Sequence, residues 1–394
     1  MKKIIIIFIL LLQQLHSFAQ CTTIAECNAQ GKASYDAKEY DDAYSFYEFS
    51  ARKGDLDAQL IIGKMIYDNR LSVAVDYSES FKWFEKSAGK GNAEAQFYVG
   101  RSYSLGRGIT KNYTKALEWY TLAANAGNES AMNNIGSMYY YGNGVTQNFD
   151  SAIVWFKKGA DAGSGSSMYW LGTLYADGEG VTKNYTTALS WYEKAANAGN
   201  GSAMNNIGSL YYYGNGVTQN YEYAIAWFKK GADAGNDSCM NWVGFLYNEG
   251  KGVIQNYTTA LSWYEKAANA GNVSAMNTIG NMYRQGQGTP QNYAASVNWY
   301  KKAAEGGNDL AMNWLGYMYQ NSMGVPQDYP AGLSWYKKAA EKGNSAAMYN
   351  IAVTYQNGHN TPENGESSLY WYKKAAKLGH EKSQQKLKEL GETW

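Results

Sequence analysis

Apolar residues recur along this chain at steps of three and four, the spacing that lines one face of a helix. In SAMNNIGSMYYYG, Ala131, Ile135 and Tyr139 stand four apart, which at about 100° per residue makes a single apolar stripe. NFDSAIVWFKKGADAG repeats the pattern with Phe149, Ala152, Phe156 and Ala160, so a second helix follows the first. Asn148 opens that second helix as an N-cap residue, its side chain placed to accept a bond from a free backbone N–H. Gly163 ends it, because the residue after a helix often needs positive φ, and Asn128, Ser164 and Asn200 cap the helices that come next. A short GNGV or GEGV segment joins the two helices. No two-residue alternation of the β kind competes.

The helix pair is then copied. Trp83, Trp119, Trp155, Trp191, Trp227, Trp263, Trp299, Trp335 and Trp371 follow one another at 36 residues, and Phe46 holds the same place one slightly longer unit earlier. About ten units result, so the prior of two or three ordinary domains for 394 residues does not apply. A longer period lies inside the first: residues 131–200 and 203–272 are nearly the same text, and Trp170, Trp242 and Trp314 keep a 72-residue step. Residues 20–54 form a divergent first unit. Residues 381–394, with Leu387 and Leu390, read as a capping helix, the atypical end that closes a repeat stack.

The consensus A-x-x-x-[LI]-G-x-x-Y…G-x-G-V-x-x-[ND]-Y-x-x-A-x-x-W-[YF]-x-x-A-A-x-x-G, seen as AMNNIGSLYYYGNGVTQNYEYAIAWFKKGADAG, resembles the Sel-1-like repeat, a relative of the tetratricopeptide repeat. It runs over roughly residues 31–380. Departures are small: Asn stands for Asp before the second-helix aromatic, and Ser296, Gly332 and Ser368 replace the small Ala. The resemblance implies an all-α fold, a right-handed α/α superhelical solenoid spanning residues 20–394. It also implies a role in assembling other proteins, with no shared catalytic residues and no cofactor.

Because the buried stripe serves the fold, function is sought on other faces. By resemblance the first helix lines the concave side, and there one position recurs as Asn133, Tyr169, Asn205, Asn241, Asn277, Asn313 and Tyr349. A row of amides can clamp the backbone of an extended peptide or the hydroxyls of a glycan. Trp170, Trp242 and Trp314 occupy the neighbouring position, with Tyr140, Tyr141, Tyr212 and Tyr213 one to two turns on. These are either exposed anchors for a partner or packing against the adjoining unit. The anchor reading predicts that Trp242→Ala leaves the fold almost unchanged. Lys158, Lys194, Lys230, Lys266, Lys302, Lys338 and Lys374 form an outer row suited to helix ends and solubility.

Charge and composition narrow the classes. Met1–Lys3 followed by the apolar run Ile4–Leu12 reads as a signal peptide over residues 1–19, cut after Ala19. Removing Lys2 and Lys3 with it leaves 33 basic against 34 acidic residues, so no basic field exists for nucleic acid. No later run is long enough to span a membrane. Cys21 follows Gln20 and Phe18, which does not suit lipidation. Cys21 and Cys27 are close enough to pair in an oxidising compartment, leaving Cys239 over. His359 and His380 are isolated, so neither a metal site nor His-based catalysis is expected. Seven Asn-x-Ser/Thr sequons, among them Asn112, Asn128 and Asn184, fall on cap positions. The expectation is a periplasmic or secreted, non-enzymatic scaffold that binds a protein or peptide along its concave face. Glycan or cell-wall binding by the same surface is the alternative. A β-lactam-directed hydrolase, suggested by cysteine-rich members of the family, comes last because paired cysteines are missing from the repeats.

Overall fold

The computed structural model describes residues 21–358 and 368–394. The expected leader, residues 1–19, and His359 lie outside the described residues. Within them every regular element is an α-helix, 9 to 13 residues long, and the helices come in tandem pairs. The chain forms an all-α repeat solenoid, in which each second helix packs on the first helix of its own unit and, within each compact unit, on the first helix of the next. The contacts divide the chain into two compact units, 1–198 and 199–394.

Local chemistry sets the helix ends as the spacing predicts. Asn148 Oδ1 accepts from the Ser151 N–H at 2.8 Å, and Asn128 Oδ1 from the Ala131 N–H at 2.8 Å. The seven sequon asparagines are all N-caps with their side chains so engaged. His380 caps the last helix, Glu381–Glu389, in the same way, its side chain accepting from the Ser383 N–H. Leu387 of that helix is fully buried, whereas Leu390 is exposed. At the other end, Thr23 and Glu26 make a reciprocal capping box on the helix Ile24–Asp36, and a Cys21–Cys27 disulfide ties its entry to its first turn.

The core of most units is an aromatic ring laid on a glycine, Ala352 taking the glycine's place in the last. Phe228, in the helix Tyr221–Asp233, is fully buried against Gly208 of the helix Gly201–Tyr213, where a Cβ would sit 2.6 Å from a ring carbon. Gly136 and Phe156 repeat the arrangement in the other half of the chain. Removing the Cβ brings the two helix axes close enough for a whole ring to be covered. Ala131 and Ile135 are buried as the stripe requires, but Tyr139 is only half-buried and Met138 takes the deeper place. Side-chain size is also balanced between units: Ser167 and Cys239 are larger than the equivalent Ala203 and Ala275, and Gly159 and Gly231 stand against them where other units carry Ala.

Gly199 follows the helix Tyr185–Asn197 at φ 83°, as expected, but a Cβ there would meet nothing within 4 Å. A side chain there would not crowd its surroundings at the β carbon, and only backbone strain remains. Lys194 also differs from the expected neutral surface residue, since its Nζ lies 4.1 Å from the ring centroid of Trp191. Gly199→Val is accordingly expected to cost about 1–2 kcal/mol and Lys194→Ala about 0.5–1 kcal/mol. Urea midpoints of the two variants check this. A larger shift for the lysine variant would contradict it.

Candidate functional site on the first-helix face

Within each compact unit the asparagine row lies along the seam between successive first helices. It is half-buried throughout and buried at Asn277. Three of its amides are spent on the neighbouring unit. Ser167 Oγ donates to Asn133 Oδ1 at 3.4 Å, Asn350 Nδ2 donates to Asn313 Oδ1 at 2.9 Å, and Cys239 Sγ lies 3.8 Å from Asn205 Oδ1. The Oδ1 atoms of Asn241 and Asn277 are buried and find no donor among the described residues. Tyr169 packs on Trp170 and Tyr192, and Tyr349 on Tyr372 and the His380 ring. The row is thus partly a device that joins units. The clamp of free amides that the sequence suggested is interrupted wherever these bonds are made.

The tryptophan series resolves more sharply. Trp242, in the helix Asp237–Glu249, stacks on Phe228 of the preceding helix at 5.2 Å with the planes 4° apart. Tyr212 lies 5.0 Å away and Phe245 meets it edge-on at 5.5 Å. Trp170 stacks on Phe156 and leans on Tyr140 in the same way. Trp314 stacks on Tyr300, with the Arg284 guanidinium 4.0 Å from its ring centroid. Each indole is held among rings or charge from the unit before it and keeps only part of its surface for solvent. Removal without loss of fold, the expectation for an exposed anchor, is corrected by this packing.

Sequence reading missed a fourth member. Tyr98 stands 72 residues before Trp170 and stacks on Phe84 at 4.6 Å and 13°. Stepping the long period backwards would have found it; the change from Trp to Tyr hid it. The outer lysines hid a second regularity, because each sits three residues after the repeat tryptophan. Lys86, Lys158, Lys230, Lys266, Lys302 and Lys338 place Nζ 4.1–4.2 Å from the Trp83, Trp155, Trp227, Trp263, Trp299 and Trp335 centroids. Such pairs cover the indole face and hold the cation near the helix end.

Exposed aromatic surface falls beside the tryptophans instead. Tyr141 and Tyr213, at the C-terminal ends of the helices Glu129–Tyr141 and Gly201–Tyr213, are each 58% exposed and stand edge-on to Trp170 and Trp242. Tyr140, one residue earlier, is turned inward, and burial together with Glu179 raises its phenol pKa well above the ordinary value. Cys239 is buried and free, its thiol pushed up to about 12 by burial, which leaves it unreactive as a thiolate nucleophile at neutral pH. Among the described residues no group of three His, Cys, Asp or Glu side chains could hold a metal ion, and no helix is long and apolar enough to cross a membrane.

The sequence profile of the Sel1 repeat matches nine consecutive segments, from 56–92 through 345–380, without a gap. The chain belongs to the Sel1 repeat family. The Sel1 matches start after the first helix pair, so residues 20–54 remain outside them. Among solved structures it is similar to c5321, a protective antigen of uropathogenic Escherichia coli displaying an SLR fold. That likeness has 31% identity and a TM-score of 0.61, over 86% of this chain and 73% of that one. A Sel1 repeat protein from Oxalobacter formigenes is similar at 31% identity and a TM-score of 0.58, over 63% of this chain and 99% of that one. None of the proteins of curated function matches the chain. Sel1 repeats are commonly protein-interaction scaffolds, and the solenoid described above is of that kind.

Proposed function

We propose that this Sel1 repeat protein is exported and acts, without catalysis, as a scaffold that binds a segment of another protein along its first-helix face. The observation that carries the reading is the pair of exposed tyrosines, Tyr141 and Tyr213, set at equivalent ends of first helices in a fold of this family. A tyrosine offers a large rigid contact area with a hydroxyl at its tip, the combination that interfaces favour. Half-exposed edges of Trp170 and Trp242 extend each patch. The row Asn133, Tyr169, Asn205, Asn241, Asn277, Asn313 and Tyr349 contributes polar contacts only where an amide is not already joined to the next unit. The leader at residues 1–19 and the Cys21–Cys27 disulfide support passage into an oxidising compartment, periplasmic or extracellular.

Capture of polypeptides from a periplasmic or secreted fraction, run beside a glycan array, tests the reading. Tyr141→Ala and Tyr213→Ala are each expected to weaken capture severalfold while leaving the urea midpoint within about 0.5 kcal/mol equivalent, as suits exposed side chains. The fourfold change of Asn205, Asn241, Asn277 and Asn313 to Ala is expected to weaken capture and to lower the midpoint together, because it also removes the bonds to Cys239 and Asn350. Retention by polysaccharide with no polypeptide captured would replace this reading with the glycan alternative.

A further inference from the structure

The helix Ala93–Leu105 and the turn that follows it bring two arginines to one ring. Arg101 and Arg107 both approach the ring of Tyr67, the guanidinium carbons lying 5.3 Å and 5.1 Å from its centroid. Arg107 lies 5.1 Å from the Tyr77 ring as well. Neither guanidinium makes an ion pair or a hydrogen bond among the described residues. The nearby acids are already engaged: Glu94 pairs with Lys64 at 2.7 Å, and Asp68 with Arg70 at 3.8 Å. Two half-buried like charges sharing one ring, with no counter-charge, favour an anion between or beside them.

A cavity of about 250 Å³ opens beside Arg101. Its polar lining includes Arg101, Ser104, Tyr120 and Asn134, and no acidic side chain borders it. Leu105 and Met138 supply an apolar wall. The Tyr67 ring that the two guanidinium groups share lies outside that lining, as does Arg107, and the buried Tyr67 hydroxyl finds no partner among the described residues. Donors and positive charge on one side and apolar surface on the other suit a carboxylate attached to an apolar group. In the units that follow, Ser137, Thr173 and Ser209 stand where Arg101 stands, so the site is confined to one place on the chain.

We propose that Arg101, supported by Arg107, binds the carboxylate of a peptide that ends in, or carries beside the acid, an apolar side chain. The assignment to a peptide rests on the scaffold reading above; the assignment to a carboxylate does not. A guanidinium offers paired N–H donors that match the two carboxylate oxygens, and the partly buried setting limits screening by salt.

The test uses the full mature chain and two small probes, N-acetyl-4-fluorophenylalanine and its amide, followed by fluorine NMR line broadening at low ionic strength. The acid is expected to bind about tenfold or more tightly than the amide. Arg101→Gln should remove that preference, Arg107→Gln should weaken it severalfold, and Arg101→Lys should keep part of it through its charge. Urea midpoints confirm that each variant is folded. Equal binding of acid and amide, or an acid preference that survives Arg101→Gln, overturns the proposal. Displacement of the acid by equimolar inorganic phosphate also overturns it, since the site would then accept oxyanions at large. A second arm compares a hexapeptide ending in phenylalanine, as acid and amide, with the small acid. Tighter binding of the peptide acid supports a peptide ligand, and no gain over the small acid removes the peptide from the assignment. If the acid binds but no polypeptide is captured, the scaffold reading falls and the carboxylate site stands. If Tyr213→Ala abolishes capture while Arg101→Gln leaves acid binding intact, the carboxylate site falls alone.

Discussion

Trp242→Ala is expected to lower the free energy of unfolding by about 3 kcal/mol, with the urea midpoint falling accordingly. The indole stacks on the fully buried Phe228 and meets Tyr212 and Phe245, so truncation leaves those rings without their partner and opens a gap between two units. A repeat stack holds together only through neighbours, and a hole at one junction is not compensated from elsewhere. Tyr213→Ala, on the neighbouring first helix and edge-on to the same ring but 58% exposed, serves as the control and is expected to shift the midpoint little. Equal midpoints for the two variants would show that the indole is a free surface anchor after all. Trp242→Ala is also expected to weaken partner capture, but through disturbance of the Tyr213 platform that rests edge-on against it.

The second large effect is expected at the inner glycine of the connection between helices. Gly252 has φ 68°, and a Cβ there would stand 2.5 Å from the Tyr221 carbonyl carbon and 2.6 Å from its oxygen. Backbone atoms at a helix start cannot swing aside as a side-chain tip can. Gly252→Ala therefore adds a steric cost to the strain of a left-handed residue, for about 3 kcal/mol in all. Gly235→Ala isolates the second part. Its φ is 84°, yet nothing lies within 4 Å of the added carbon, so it should cost only about 1 kcal/mol. The difference between the two midpoints measures how tightly the connection of one unit is pressed onto the helix start of the unit before. Equal shifts would mean that this contact contributes nothing to the stack.

The sequence by itself determined the helices, their ends and their repetition, because these depend on interactions between residues close along the chain. Asn148 as a cap, Gly163 as a stop and the Trp series at 36 residues are all local facts, and copying them many times makes each one hard to misread. The same repetition obscured function. Asn133, Asn205 and Asn313 look alike as letters, but whether an amide faces solvent or joins Ser167, Cys239 or Asn350 depends on where the next unit's first helix lies. The status of Trp170, Trp242 and Trp314 was open for the same reason. Only packing shows that Phe156, Phe228 and Tyr300 lie flat beneath them. Arg101 left no periodic mark, being a single departure from the repeat, and Arg107 shares its place with one other cation, Lys251, four units on. Their meaning comes from the absence of an ion-pair partner among the described residues, which is a property of three-dimensional neighbours and not of spacing along the chain. Short-range hydrogen bonding and helical periodicity are written in order along the sequence, whereas exposure and charge pairing are set by contacts between units, and those only the tertiary structure decided.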